Sequence, residues 1–177
     1  HSGERAAIVI GAGLAGTSTA RSLAARGWRV TLVERHAALA AEASGNPLGA
    51  LYARLSPQGT ALSALAVSGL EYTARTLPLL GLERGVDFDP CGVVELEHDD
   101  AERKRHARLA SQDWPAGFLV RLDAAAAAAQ VGIAVPSGGL LFPRAGWVRP
   151  PALCHALAAH PSIRTVLGRA VLGLGRG

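Results

Sequence analysis

Two apolar runs flank a helix-like segment near the start of the chain. Residues 7–10 are all apolar, and residues 30–33 form a second β-rich run that ends at the acid Glu34. Residues 17–26 lie between them, have helical character and end at Gly27. Strand, helix and strand in this order predict a βαβ unit with two parallel strands. We therefore expect a parallel or mixed sheet flanked by helices, with the first strand at its centre.

The rest of the chain predicts helices alternating with short strands. Apolar residues near helical spacing predict a packing helix over residues 60–80, capped by Thr60, whereas the charged residues 99–111 predict an exposed helix. Asp123 can cap a further helix over the alanine run that follows it. The remaining predicted elements are strands over residues 91–96 and 119–122, a pair of short strands over 138–143 and 146–148, a helix over 150–159, and two last strands over 162–167 and 170–174.

The first apolar run leads into a glycine-rich turn with the sequence GAGLAG at residues 11–16. Gly11 permits a tight turn, Gly13 lets a pyrophosphate approach the backbone, and Gly16 lets the helix pack closely on the strand. The free N–H groups at the positive end of that helix then face the phosphates. The turn therefore predicts a dinucleotide site, and a glycine turn in an ordinary βαβ unit is the alternative.

Glu34 lies roughly twenty residues after the glycines, where an acid accepts hydrogen bonds from ribose hydroxyls. An acid at this position disfavours a 2′-phosphate, but the neighbouring Arg35 leaves NADP open. The glycine turn and the acid together predict an adenine dinucleotide, and they do not separate FAD from NAD.

Composition narrows the class of protein without indicating a reaction. The 177 residues are 49% apolar, which fits one α/β protein with a sizeable core. The net charge of +4 is a mild hint of a polyanionic partner, but such an excess is more often a solvated surface. Cys91 and Cys154 have no C-x-x-C spacing, so we expect two buried, reduced thiols. We expect no metal site, because no His and Cys residues have metal-ligand spacing. We also expect no membrane contact and a cytoplasmic protein, because no apolar run is long enough to cross a bilayer.

Ser44 and Asn46 lie in a segment, residues 44–49, that is dense in turn formers. In a doubly wound fold the segment after the second strand lies near the cofactor, at the carboxyl edge of the sheet. Both side chains could supply hydrogen bonds there to a pyrophosphate or a flavin. A simple surface turn is the alternative, and spacing alone does not decide between the two.

Several later blocks of the sequence carry a resemblance to a known family. They are ASGNPLGALY at residues 43–52, GVDFDPCGV at 85–93, GGLLFP at 138–143 and GWVRPPALC at 146–154. Together with the glycine turn, and in this order, they resemble the D-amino-acid-oxidase and glycine-oxidase superfamily of FAD enzymes. Within it the chain resembles in particular the C-terminal oxidoreductase domains of the tRNA 5-methylaminomethyl-2-thiouridine biosynthesis bifunctional proteins, over nearly its whole length.

The resemblance implies FAD as the cofactor and oxidation of a C–N bond as the reaction. The tRNA-modifying group removes the carboxymethyl group from carboxymethylaminomethyl-(2-thio)uridine at the wobble position. The residues that the resemblance implies for the site are Gly11, Gly13, Leu14, Ala15 and Gly16 at the pyrophosphate, Glu34 at the adenosine ribose, Arg35 beside the adenine, Ser44, Asn46 and Gly49 near the pyrophosphate, ribityl chain or flavin, and the backbone of Val171 at the adenine.

The resemblance also implies a domain organisation. We expect an α/β protein in which residues 4–50 and 147–177 form a Rossmann-like FAD-binding domain. Residues 51–146 would form part of a second, substrate-facing mixed-sheet domain. The family's oxidoreductase domains are longer than this chain, so we expect the catalytic residues, which the sequence does not identify, in a C-terminal half. The implied partners are tRNA and a fused or associated methyltransferase domain.

Three other functions stay open on the sequence alone. A small-molecule amine or amino-acid oxidase would share the fold and FAD but not the tRNA. A non-catalytic dinucleotide-binding module would keep only the nucleotide site. An NAD-dependent dehydrogenase fits less well, because the later blocks would then have no reason to match.

Overall fold

The computed structural model describes residues 5–175, which fall into two compact units. The first unit comprises residues 5–49, Leu79–Asp87 and residues 148–175, and the second comprises Ala50–Pro78 and Phe88–Trp147. Each unit has its own hydrophobic core. Residues 1–4, 176 and 177, which include the outermost positions of the predicted FAD-binding segments, lie outside the described residues.

The described residues contain both helices and strands. The strands are β1 Ala6–Ile10, β2 Arg29–Val33, β3 Gly49–Leu51, β4 Phe88–Asp89, β5 Val93–Leu96, β6 Val120–Leu122, β7 Gly139–Phe142, β8 Gly146–Val148 and β9 Ile163–Val166. The α-helices are α1 Leu14–Ala24, α2 Ala61–Thr76, α3 Asp100–Ala110, α4 Ala124–Val131 and α5 Pro150–Ala158, and short 3-10 helices lie at Ala43–Gly45 and Leu77–Leu80.

The sheet of the first unit is parallel, in the order β1-β2-β9. Its central strand buries Val30 and Leu32, which pack with Ala20 and Ala24 of α1 and with Ala158 of α5. Alanine at the helix positions brings the helix backbones close to the sheet, because core packing is dense and an alanine side chain is short. The predicted βαβ unit is therefore present, with α1 between its two parallel strands.

The predicted central place of the first strand is wrong within the described residues, because β1 lies at an edge of this sheet. Ile8 and Ile10 are 71% and 54% exposed, although an apolar run is typical of a strand buried on both faces. The apolar pattern indicates that a strand forms, but it does not say which neighbours the strand has. β2 takes the centre because its Val30 pairs with Ala7 on one side and Ile163 on the other.

The predicted strand over residues 170–174 is also wrong in the part of the chain that the structure describes. Leu172 and Leu174 are 98% and 89% exposed, and no strand of the described sheets pairs with them. A strand needs partners for its backbone N–H and C=O groups, and apolar residues alone do not supply them.

Helix α1 begins three residues earlier than predicted, at Leu14 instead of Thr17. Gly13 is its N-cap residue, and the Gly13 carbonyl accepts hydrogen bonds from both the N–H and the hydroxyl of Thr17, at 3.0 and 2.9 Å. The glycine turn therefore continues directly into the helix, and the N–H groups of its first turn belong to Leu14, Ala15 and Gly16.

Two further three-stranded sheets have the orders β3-β8-β4 and β5-β7-β6. The predicted pairing of residues 138–143 with residues 146–148 is wrong, because β7 pairs with β5 and β6 whereas β8 lies between β3 and β4. The lack of a Cβ at one glycine in each strand lets β7 and β8 approach different neighbouring strands. A Cβ at Gly139 would lie 2.2 Å from the Glu95 carbonyl oxygen, and one at Gly146 would lie 1.9 Å from the Asp89 carbonyl oxygen. Each strand thus admits the backbone of a different neighbour.

The predicted N-caps are confirmed at two helices of the second unit. At the start of α2 the Ser63 N–H donates to Thr60 Oγ1 at 3.2 Å, and at the start of α4 the Ala126 N–H donates to Asp123 Oδ1 at 2.8 Å. These caps satisfy N–H groups that have no acceptor inside the helix, which is why both helices begin where the sequence predicts.

Two predictions about burial are wrong. Helix α3 was predicted to be exposed, yet His106 and Leu109 are fully buried because one face of this charged helix packs on β6 and β7. Cys91 was predicted to be buried but is exposed, next to Gly92 with its φ of +88°, whereas Cys154 is buried and free as predicted. Within residues 5–175 no helix combines the length and apolarity needed to cross a bilayer.

Candidate dinucleotide site

Two close backbone approaches shape the glycine turn between β1 and α1. Gly11 has a φ of +92°, and its N–H donates to the Val33 carbonyl at the end of β2, at 2.8 Å. A Cβ at Gly16 would lie 1.8 Å from the Gly11 carbonyl oxygen. Backbone conformation favours glycine at the first position, and space requires it at the second. The turn thereby places the N-terminus of α1 directly after the carboxyl end of β1.

The first turn of α1 carries N–H groups that no carbonyl within the helix can accept. Ser44 Oγ accepts one of them, from Leu14, at 3.0 Å. Among the described residues the N–H groups of Ala15 and Gly16 have no hydrogen-bond acceptor. They lie at the positive end of the helix dipole, so this end of α1 suits an anionic ligand.

Ser44 and Gly13 approach each other closely at this turn. A Cβ at Gly13 would lie 2.9 Å from Ser44 Oγ. The space that glycine leaves is therefore filled by a hydroxyl group. While this hydroxyl accepts a hydrogen bond from Leu14, its own hydrogen remains available to donate to a ligand oxygen.

Glu34 is held at the end of β2 by two backbone groups. Its Oε2 accepts the Ala12 N–H at 2.8 Å and its Oε1 accepts the His36 N–H at 2.9 Å. Burial acts to raise the pKa of this carboxyl, but the hydrogen bonds from His36 and Ala12 outweigh it and hold the pKa below its usual value. Glu34 is therefore an ionised acceptor of fixed orientation. Each oxygen can accept further hydrogen bonds, such as those of ribose hydroxyls.

Two clefts of the first unit open on these residues. One, of about 180 Å³, is lined by Gly11, Gly13, Glu34 and Ser44 among others. The other, of about 470 Å³, is lined by residues that include Gly11, Glu34, Arg35 and Val171. The structure thus brings these predicted site residues together beside the first turn of α1.

Asn46 and Gly49 line neither of these two clefts. Asn46 is exposed just after the 3-10 helix, and a Cβ at Gly49 would lie 3.2 Å from Pro150 Cγ. Their contacts with a pyrophosphate, a ribityl chain or a flavin stay a prediction.

The family follows from the whole sequence. The profile of FAD-dependent oxidoreductases matches residues 6–175, which is nearly all of the chain. The chain belongs to the FAD-dependent oxidoreductase family. The predicted cofactor, FAD, is that of this family, and the predicted α/β, Rossmann-like fold class is confirmed.

Curated relatives in this family are named tRNA 5-methylaminomethyl-2-thiouridine biosynthesis bifunctional protein MnmC. The protein from Pseudomonas savastanoi pv. phaseolicola is 57% identical over 174 residues, which are 98% of this chain and 26% of the relative. The protein from Pseudomonas aeruginosa strain UCBPP-PA14 is 56% identical over 171 residues, 97% of this chain and 26% of the relative. The chain therefore spans about a quarter of the length of the curated relatives that it matches.

Solved structures share the fold at low identity. Glycine oxidase from Bacillus cereus has a TM-score of 0.76 and 23% identity, over 98% of this chain and 50% of that chain. L-Amino acid deaminase from Proteus myxofaciens has a TM-score of 0.75 and 23% identity, over 100% of this chain and 41% of that chain. At this identity the likeness shows the fold alone.

The residues at the glycine turn fit the adenosine diphosphate part of FAD. The N–H groups of Ala15 and Gly16 lack acceptors within the described residues, and the ionised Glu34 lines a cleft with Gly11 and Gly13 of the same glycine turn. Donors for a pyrophosphate and an acceptor for ribose hydroxyls are what this part of a dinucleotide requires.

Sequence reasoning missed Glu42, which lines both clefts. It pairs with the guanidinium of Arg35, and its Oε1 lies 3.0 Å from His36 Nε2. The pairing depends on the loop between them, in which Ala40 has a φ of +55°, unusual for a residue with a side chain. No spacing rule for helices or strands predicts that contact. Arg35, which we predicted to lie beside the adenine, therefore already has its charge paired with that of Glu42.

Proposed function

We propose that this chain forms the FAD-binding part of an oxidoreductase that removes the carboxymethyl group from carboxymethylaminomethyl-(2-thio)uridine at the wobble position of tRNA. The observation that carries the proposal is 57% identity to a tRNA 5-methylaminomethyl-2-thiouridine biosynthesis protein over 98% of this chain. The cleft at the glycine turn and Glu34 supports the nucleotide half of the proposal independently of that identity.

In this proposal each residue of the site has a stated role. The first turn of α1 binds the pyrophosphate through backbone N–H groups, Glu34 accepts hydrogen bonds from the adenosine ribose, and the Ser44 hydroxyl donates to a phosphate or flavin oxygen. FAD, when bound, supplies the acceptor for the hydride that leaves the carbon beside the amine nitrogen. The residues proposed to complete the site are Gly11, Gly13, Leu14, Ala15 and Gly16 at the pyrophosphate, Arg35 and Val171 at the adenine, and Asn46 and Gly49 near the pyrophosphate, ribityl chain or flavin.

The proposed domain organisation assigns FAD binding to residues 4–50 and 147–177 and a substrate-facing role to residues 51–146. The division of the described residues into two compact units near these boundaries supports it. Residues 79–87, which belong to the first unit, are an exception to this simple division. A tRNA substrate would place the protein in the cytoplasm. The word "bifunctional" in the relatives' name supports a second activity, which we assign to a fused or associated methyltransferase domain.

Titration of the purified chain with FAD, followed by flavin fluorescence, tests the nucleotide half. We expect saturable binding that weakens about tenfold in Glu34→Gln, because one charge-assisted hydrogen bond to the ribose is lost. Glu83→Gln is the matched control, since Glu83 belongs to the first unit but lines neither cleft. A chain with native circular dichroism that binds no FAD, or binds it equally well in Glu34→Gln, would refute this half.

A chimaera tests the substrate half. Residues 6–175 would replace the matching region of the Pseudomonas aeruginosa relative, and nucleosides from tRNA would be measured by mass spectrometry in cells that carry only the chimaera. We expect the carboxymethyl group to be removed, and the removal to be slower in the Glu34→Gln version because that variant binds FAD about tenfold more weakly. A flavin-loaded chimaera that leaves the nucleoside intact but oxidises free glycine or D-alanine would establish the small-molecule oxidase instead. Flavin binding with neither reaction would favour a dinucleotide-binding module.

A further inference from the structure

Glu42 lines both clefts and engages two side chains that follow Glu34 in the sequence. Its Oε1 accepts a hydrogen bond from the Arg35 guanidinium and lies 3.0 Å from His36 Nε2. These two contacts, first that of His36 and then that of Arg35, hold the pKa of the Glu42 carboxyl below its usual value. Glu42 is therefore a carboxylate at neutral pH, at the adenosine end of the proposed site.

Glu34 does not neutralise Arg35 in the same way, because it is fixed elsewhere. Its two oxygens accept the N–H groups of His36 and Ala12, and its side chain is nearly buried. A carboxylate held by two backbone groups does not turn to meet a guanidinium at the surface. Arg35, which follows it directly, pairs with Glu42 instead.

The identity of the group that engages Arg35 matters for nucleotide choice. In dinucleotide sites an acid at the end of the second strand accepts the ribose 2′-hydroxyl, whereas a nearby arginine accommodates a 2′-phosphate. A guanidinium recognises phosphate with a fork of N–H donors. Arg35 follows the acid directly, as the second kind of recognition requires, but its Nη2 donates to Glu42 and its Nε donates to His36 Nε2 at 3.2 Å.

The charges that line the larger cleft balance one another. Two acidic residues, Glu34 and Glu42, and two basic residues, Arg35 and Arg169, line it. Without Glu42 the same cleft would carry excess positive charge, and the Arg35 guanidinium would be available to a phosphate.

We infer that Glu42 is a specificity residue, which makes the site accept adenine nucleotides with a free 2′-hydroxyl and reject those with a 2′-phosphate by engaging Arg35. The inference rests on the proposed function, because it requires the ribose to lie at Glu34. It deepens that function by assigning the choice between the two nucleotide classes to a residue outside the glycine turn.

Calorimetric titration of the 177-residue chain with ADP-ribose and with 2′-phospho-ADP-ribose tests the inference. The measured quantity is the ratio of the two dissociation constants. We expect this ratio to shift about fivefold toward the 2′-phosphorylated ligand in Glu42→Gln, the change expected for one exposed charge pair. Glu83→Gln removes the same charge from the same unit and should leave the ratio unchanged. Adding Arg35→Ala to Glu42→Gln should abolish the shift.

Three results would overturn the inference, and they are distinguishable. If both ligands bind with the same ratio in the wild type and in Glu42→Gln, the nucleotide site stands and the role of Glu42 is wrong. If the folded wild-type chain binds neither ligand, the proposed nucleotide site fails together with the inference. A shift that persists after Arg35→Ala would also overturn it, because the cleft charge and not Arg35 would then set the preference.

Discussion

A methyl group added at Gly16 is expected to destabilise the chain more than one added at Gly13 or Gly27, two other glycines of the same βαβ unit. The Cβ of Gly16→Ala would lie 1.8 Å from the Gly11 carbonyl oxygen, a backbone atom that cannot rotate away. Either α1 or the turn must move until this distance exceeds 3.0 Å. Overpacking of this kind costs about 1 to 3 kcal/mol, and a backbone contact belongs at the upper end, about 3 kcal/mol.

Gly13 and Gly27 distinguish two reasons why an added methyl group destabilises: lack of space at Gly13 and positive φ at Gly27. At Gly13 the new Cβ would meet Ser44 Oγ at 2.9 Å, and the side chain can rotate away at the cost of its hydrogen bond to Leu14, about 1 kcal/mol. At Gly27 no atom lies within 4 Å of the new Cβ, but the φ of +80° makes alanine unfavourable by about 1 kcal/mol. Only Gly16→Ala forces the backbone to move.

Urea unfolding followed by far-ultraviolet circular dichroism measures these differences. The free energy of unfolding should fall most in Gly16→Ala, and by smaller, similar amounts in the other two variants. The double variant Gly13→Ala with Ser44→Ala is the control for the second site, since its two side chains no longer collide. The reasoning would be refuted by a Gly16→Ala chain whose stability lies within the roughly 0.5 kcal/mol typical of surface substitutions.

Three further perturbations test other parts of the chain by the same unfolding measurement. Thr60→Ala removes the cap of α2 and should cost about 1 kcal/mol, whereas Thr60→Ser keeps the hydroxyl and should cost less. Leu109→Ala empties a fully buried position and should cost about 2 to 5 kcal/mol, while Leu79→Ala, at an 81% exposed position, should change stability by less than about 0.5 kcal/mol. Burial, and then the charge of Arg105, lower the pKa of His106, so stability should fall as the pH drops below the ordinary histidine value of about 6.5.

The pH effect has a definite sign because protons bind unequally. Between the lowered pKa of folded His106 and about 6.5, the unfolded chain binds more protons than the folded one, so the free energy of unfolding rises with pH. His106→Gln removes the titrating group and should weaken this dependence. Equal slopes in the two proteins would contradict the assignment. Unchanged stability in Thr60→Ala, or equal losses in Leu109→Ala and Leu79→Ala, would contradict the other two predictions.

Local interactions made much of the fold predictable. The caps at Thr60 and Asp123 each act on an N–H group three residues away, so a short stretch of sequence contains both partners. The glycine turn and Glu34 follow a spacing that reflects one strand-helix-strand unit. Long-range pairing was not predictable in this way. The apolar run of β1 does not state whether one neighbour or two will pair with it, and the separation of β7 from β8 depends on carbonyl groups far away in sequence, such as that of Glu95 near Gly139.

The candidate site shows the same limit. The position of Glu34 beside the glycine turn was predictable because it directly follows the second strand. The Arg35–Glu42 pair was not, because it depends on a loop in which Ala40 adopts positive φ, a conformation that alanine rarely takes. The burial of His106 was missed for a related reason: a helix whose composition is charged still buries one face when a sheet lies against it.

Among residues 5–175 β1 lies at the edge of its sheet, and this position has a consequence for handling the chain. Its five residues, AAIVI, contain no charge and no proline, and Ile8 is 71% exposed. An uncharged apolar strand with an open edge is a template for intermolecular pairing, the starting point of aggregation. Protein concentration therefore has to be controlled in every binding titration on this chain. Pairing of β1 with another copy would involve the strand that leads directly into the glycine turn, and it would compete with ligand binding there.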